Sequence, residues 1–119
     1  MAQTLLEELG GRDAVEAVVA AFYDRVLRDP RLQRFFRGIS MSRLQKNQVD
    51  FFCHALGGTP YHGRDMKLAH AGMGITNADF DNVAGHLVAT LESLGVTGDR
   101  IDRVVSLIAP LRDQIVGAA

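Results

Sequence analysis

Residues 42–52 read SRLQKNQVDFF. Leu44, Phe51, Phe52 and Ala55 recur at helical spacing and make one apolar stripe, so the segment predicts an amphipathic helix. Gln48 falls in the middle of that stripe, where a leucine would pack. Such a carboxamide either snorkels to solvent or bonds a nearby backbone group, the commoner cases, or serves something outside the helix. Ser42 with Gln45 reads as the cap that opens this helix, and Gly57-Gly58 as its end.

Outward from this helix the same period continues. Thr4 with Glu7 makes a capping-box signature for a short first helix carrying Leu5, Leu6 and Leu9. Asp13 with Glu16 reads as the start of a second helix. Its stripe of Val15, Val18, Val19, Phe22, Tyr23, Val26 and Leu27 runs until Asp29-Pro30 stops it. A short helical turn with Leu32, Phe35 and Phe36 follows. After Gly57-Gly58 comes GTPYHGRDM, which has little periodicity, and then MKLAHAG, with room for two helical turns at most. Thr76 with Asp79 opens a fourth long stripe of Phe80, Val83, Leu87, Leu91 and Leu94. Residues 99–116 predict a last helix, kinked at Pro110, which lacks a backbone donor. Nothing alternates with a period of two, so the fold class is all-α.

At 119 residues the chain reads as one domain, 1–119, able to bury roughly two-thirds of its unfolded surface. Thirteen basic residues against fourteen acidic ones leave no global field to draw nucleic acid or anionic lipid. No apolar run is long enough to span a bilayer. The N-terminal MAQTLLEELGG lacks the basic start and apolar core of a signal peptide. A lone cysteine, Cys53, excludes an internal disulfide and suits a reducing compartment. The expectation is a cytoplasmic protein without nucleic-acid or membrane partners.

Four histidines, His54, His62, His70 and His86, are candidates for chemistry, and no two are spaced as i,i+3 or i,i+4. Zinc asks for three or four protein ligands, and no local motif supplies them. No glycine-rich phosphate loop follows a strand, no serine sits in a nucleophile elbow, and Cys53 has no activating neighbour in sequence. One kind of metal centre survives: haem brings its own equatorial ligands and asks for one neutral imidazole and a lipophilic slot. His70, in MKLAHAGMGI among small and apolar neighbours, is the best placed candidate. By itself it reads more readily as an ordinary loop histidine. Tyr23 is equally ambiguous, since its hydroxyl could merely reach a core carbonyl. Phe35-Phe36 and Phe51-Phe52 are more often plain core than a cofactor slot.

Taken together these residues match a family. LGG near the start, AFYDRVLRDP, FF, MSRLQKNQVDFF, a second LGG, YHGRDMKLAH, GITNADF and VAGHLVATL keep order and spacing from Leu5 to Leu111. On these stretches the chain resembles the group I truncated haemoglobins. The resemblance implies a two-over-two helical sandwich around haem b, with the Tyr23 and Gln48 helices and the last two long helices as the crossed pairs. It implies His70 as the proximal iron ligand and Tyr23, Leu44 and Gln48 on the distal side. Phe36 would pack on the porphyrin. Phe51, Phe52, Met66, Ile75, Phe80 and Val83 would form apolar walls, and Tyr61 would also contact the cofactor.

The resemblance further implies that O2, NO and CO are ligands and that O2 at ferrous iron takes on negative charge. Two donors, the Tyr23 hydroxyl and the Gln48 amide, would then slow its release, each by roughly tenfold or more. The implied activity is O2 binding with nitric oxide dioxygenation, which needs a reductase. O2 storage, transport or sensing without catalysis is the alternative, and a haem-free helical adaptor a third. Asn47 departs from the basic residue or histidine many members carry there, which favours an open sixth position and removes one propionate partner. Arg43, Lys46, Tyr61, Arg64 and Lys67 remain propionate candidates. No C-terminal histidine of the kind that tethers haem in some members is present, so the haem is expected to be non-covalent. The polar leader of certain members is missing too.

Overall fold

Two glycines in opposite roles set the first corner. Gly10 ends the first helix in the left-handed region (φ 112°), its N–H donating to the Glu7 carbonyl at 3.1 Å. Gly11 then takes φ 81° and ψ −165°, a region essentially reserved for glycine, and the chain re-enters helix at once. The computed structural model describes residues 4–57, 74–112 and 116.

Within them α1 is Leu5–Leu9, α2 Arg12–Leu27, α3 Met41–Gly57, α4 Asn77–Ser93 and α5 Gly98–Ile108. Single 3-10 turns occupy Gln33–Phe36 and Ala109–Leu111. No strand occurs among the described residues, so the all-α reading holds. α2 packs on α3 and on α4, α4 packs on α5, and α1 caps the α3 side. These are the two pairs that the resemblance implies.

The capping boxes at Thr4 and Thr76 form as their spacing predicts. The Thr4 hydroxyl accepts from the Glu7 N–H at 3.2 Å, and the Thr76 hydroxyl accepts from the Asp79 N–H at 3.1 Å. Two other expected starts are corrected. Asp13 is not the cap of α2; the Gly11 corner places Arg12 already in helix, and no side chain caps that end. Ser42 is not the cap of α3 either. That helix begins at Met41, and the Ser40 carbonyl receives the Leu44 N–H at 3.0 Å, so Ser42 lies inside the first turn. Pro110 interrupts the last helical segment as expected: the chain tightens into a 3-10 turn over Ala109–Leu111, and beyond it the Val116 N–H donates to the Arg112 carbonyl at 2.8 Å.

The core is the sum of the stripes. Val15, Val19, Phe22, Tyr23 and Val26 of α2 meet Val49, Phe51, Phe52 and Leu56 of α3, Leu87 and Leu91 of α4, and Ile101 and Val104 of α5. Each large side chain buried this way contributes about 1.5–3 kcal/mol. Leu32 in the turn after α2 is completely buried and anchors it. Leu94 departs from its stripe: it is the cap residue at the C-terminal end of α4 and is 49% exposed.

Candidate functional site

The side chain that breaks the apolar pattern of α2 is Tyr23. It is buried among rings, with Phe22 edge-on at 4.9 Å and Phe36 at 5.9 Å between centroids. Burial pushes its phenol pKa well above the usual tyrosine value, so the hydroxyl stays protonated and can donate. Yet the hydroxyl makes no hydrogen bond to any described residue. Among the described residues no fully sealed side-chain polar atom lacks a partner, so this oxygen faces open space. A buried tyrosine normally finds an acceptor; this one has kept its proton unspent.

Gln48 is the counterpart on α3. It is half-buried, and its carboxamide also has no hydrogen-bond partner among the described residues. Leu44, Gln48, Phe51 and Phe52 follow at helical spacing, so one face of α3 carries one polar group among apolar ones. Phe51 and Phe52 are buried edge to face at 5.5 Å. Phe52 also lines a dry void of ≈ 20 Å³ with Val15, Val18, Leu56, Leu87 and Leu91, among others. Gln48 thus bonds no described backbone group, and its half-buried side chain is left to reach solvent or a ligand.

Other candidate walls come from α4. Phe80 is buried, with the Arg112 guanidinium 4.5 Å over its ring, and Val83 and Ile75 are half-buried. Tyr61, Met66 and His70 lie outside the described residues, as do Arg64 and Lys67. Arg43 and Lys46 are exposed on the first turns of α3 and form no ion pair with a described residue. Among the described residues no three His, Cys, Asp or Glu side chains gather as a metal site.

Two buried carboxylates, whose long-range partners sequence reasoning missed, hold this arrangement in place. Asp29, at the end of α2, accepts from the backbone N–H of Arg31 at 2.9 Å and from its Nη2 at 2.8 Å. It also accepts from Nε2 of His86 on α4, at 2.8 Å. The Arg31 guanidinium first, and His86 second, hold its carboxyl far below the usual carboxylate range. Asp79 does double duty. It closes the capping box of α4, accepting the Thr76 N–H at 3.1 Å, and it receives Nη2 of Arg34 at 3.1 Å. The Thr76 N–H is the main cause of its lowered pKa. Arg34 belongs to the same short turn as Phe36, so this bond fixes the ring that packs on Tyr23. Asp29-Pro30-Arg31 reads locally as a helix stop, and nothing near it in sequence points to His86, 57 residues away.

Comparison with known proteins agrees with this architecture. Residues 4–117 match the family described as bacterial-like globin. A group 1 truncated hemoglobin of Mycolicibacterium paratuberculosis is 45% identical, over 94% of this chain and 83% of that protein. The crystal structure of truncated hemoglobin from Tetrahymena pyriformis, Fe(III) form, superposes with a TM-score of 0.90 at 40% identity, covering 97% of this chain and 99% of that one. A 2/2 hemoglobin from Synechococcus, solved in the cyanomet state with covalently attached heme, also gives 0.90 at 39% identity, over 95% of this chain and 98% of that one.

Proposed function

Because the chain belongs to the bacterial-like globin family, and within it to the group 1 truncated haemoglobins, we propose that it holds a non-covalent haem b through His70 and binds O2 beneath Tyr23 and Gln48. Membership implies haem-based binding of small gases; the ligand set and the use made of the gas are this reading's own. The observation that carries it is the pair of unspent donors. A Tyr23 hydroxyl and a Gln48 carboxamide with no protein partner among the described residues, the first packed on Phe36 and the second on the helix face of Phe51 and Phe52, fit a cofactor that needs apolar walls and a polar spot for its ligand. The haem, when bound, would supply the iron that takes the gas and relays the electron its chemistry uses.

The residues of the chain do the rest. The Tyr23 hydroxyl would donate a hydrogen bond, keeping its proton, to a diatomic ligand that carries negative charge, and the Gln48 amide would donate a second from the neighbouring helix. Each charge-assisted bond is worth about 1.5–3 kcal/mol in such a dry site. Leu44 supplies no donor and keeps the entrance apolar. Asn47 offers no imidazole to compete for the open position. Slow release of O2 suits its consumption, and the reading extends to nitric oxide dioxygenation: O2, NO and one electron combine to nitrate, the electron coming from a reductase.

Spectra of the ferrous, O2-bound and CO-bound forms, recorded for wild type and His70→Gly, test the cofactor and its ligand together. A Soret band that is normal in wild type and collapses or shifts in the variant, returning with added imidazole, is expected. Spectra that do not differ overturn His70 as ligand. Rapid mixing of the oxygenated protein with NO tests the reaction. Conversion to the ferric form faster than for protein-free oxyhaem is expected, and no acceleration reduces the function to O2 binding alone.

A further inference from the structure

Residues 24–46 hold seven of the 13 Lys and Arg of the chain but only two of its 14 Asp and Glu. The segment is formally +5 and the remainder −6, so a nearly neutral total conceals two poles. Arg25, Arg28, Arg31, Arg34 and Arg37 recur at every third residue through the end of α2 and the turns that follow.

Arg28, Arg31 and Arg34 hold Asp24, Asp29 and Asp79, but the remaining cations of the segment differ from the arginines elsewhere. Every described arginine outside the segment holds a carboxylate: Arg12 takes Glu16 and Asp50, Arg100 and Arg103 share Glu8, and Arg112 takes Asp81. Within the segment Arg25, Arg37, Arg43 and Lys46 form no ion pair with any described residue. Arg25, Arg28 and Arg31 wall one open cleft together with His86, and the Asp29 carboxylate in it is already engaged. The side chains of Arg28 and Arg31 are 78% and 63% exposed. Ile39, one of few large apolar side chains exposed among the described residues, stands two positions from Arg37. Exposed arginines, with a large exposed apolar side chain in the same segment, are the composition of a protein-binding surface.

We propose that this arginine face, with Ile39 as its apolar anchor, docks an acidic electron-donor protein. The surface borders the distal pocket, because Phe36 lies between Arg34 and Arg37 and its ring packs on Tyr23. The donor is a flavin or iron–sulfur protein with an acidic face; it loses one electron, and ferric iron becomes ferrous. That job rests on the haem reading above, whereas docking rests on the charges alone. An extended polyanion fits less well. The −6 pole repels a long duplex or an anionic bilayer, while two local patches can meet without engaging it. None of the exposed large apolar side chains among the described residues is aromatic, so no platform for stacking bases accompanies the arginines.

The test titrates the isotope-labelled, haem-supplied protein with a recombinant flavodoxin as acidic donor. Duplex DNA, phosphatidylglycerol vesicles and inorganic phosphate are run in parallel. Amide shifts confined to residues 25–46 and to the neighbourhood of His86 are expected, with affinity falling about tenfold or more as salt shortens the range of the charges. Arg25→Gln with Arg37→Gln, which breaks no ion pair, is expected to weaken binding about fivefold or more. Arg100→Gln with Arg103→Gln removes equal charge from the other pole and is expected to change it by less than about twofold. Equal losses in both variants, shifts elsewhere, or preference for DNA, vesicles or phosphate overturns the proposal. Photoreduced flavodoxin should also reduce the ferric protein, faster at low salt. Docking without reduction overturns the donor assignment, and absence of a Soret band sinks the haem reading while the titration still reads the surface.

Discussion

Tyr23 and Gln48 each have an alternative that keeps the shape and removes the donor. Tyr23→Phe deletes one hydroxyl from a ring that Phe22 and Phe36 already hold in place. O2 release measured by stopped flow is expected to accelerate by about tenfold to a hundredfold, the equivalent of one charge-assisted bond. Gln48→Leu should do the same to a lesser degree, since a hydrogen bond from the half-buried amide is more open to water than one from the buried phenol. Unchanged release in both variants would remove the distal argument. Gln48 was legible because a stripe of period 3.6 exposes any polar member at once. Tyr23 was half legible: its place in the stripe is a matter of spacing, but whether its hydroxyl is satisfied depends on neighbours from other helices. The partner of Asp29 was not legible at all, because hydrogen bonds over such separations leave no mark on local sequence.

Helix ends follow the same division. The boxes at Thr4 and Thr76 are local, four residues long, and form as read. Asp13 and Ser42 carry similar signatures and fail. At Asp13 the φ of 81° at Gly11 has already started α2, and at Ser42 the chain turns into α3 two residues early. Gly11→Ala is therefore expected to cost about 1–3 kcal/mol in urea unfolding although a Cβ would touch nothing there, because the strain is in the backbone alone. Asp29 ties the end of α2 to α4, and its depressed pKa fixes a sign. A carboxylate held below its unfolded value near 3.9 stabilises the fold fully above that pH and progressively less as pH falls. Thermal melting between about pH 5 and pH 3 should lower the Tm of wild type more than that of Asp29→Asn, whose amide does not titrate. Parallel losses would show that the link carries no pH-dependent stability.

At the scale of the molecule, burial and charge tell different stories. The core was legible as stripes, and all the described long ones find each other. Leu91 is 2% exposed beside the dry void, so Leu91→Ala enlarges empty space and should cost about 2–5 kcal/mol by denaturant titration. The charge poles were not legible from a net of −1, because a sum discards position. The unshared hydroxyl of Tyr23 has a consequence for the fold as a whole. A hydroxyl that no described residue accepts stabilises the ligand-free fold through no protein hydrogen bond, while its partial desolvation costs up to about 1 kcal/mol. Tyr23→Phe should therefore melt higher than wild type when no gas is present and lose that advantage under saturating O2. Hardiness and grip would then be traded against each other at a single oxygen atom.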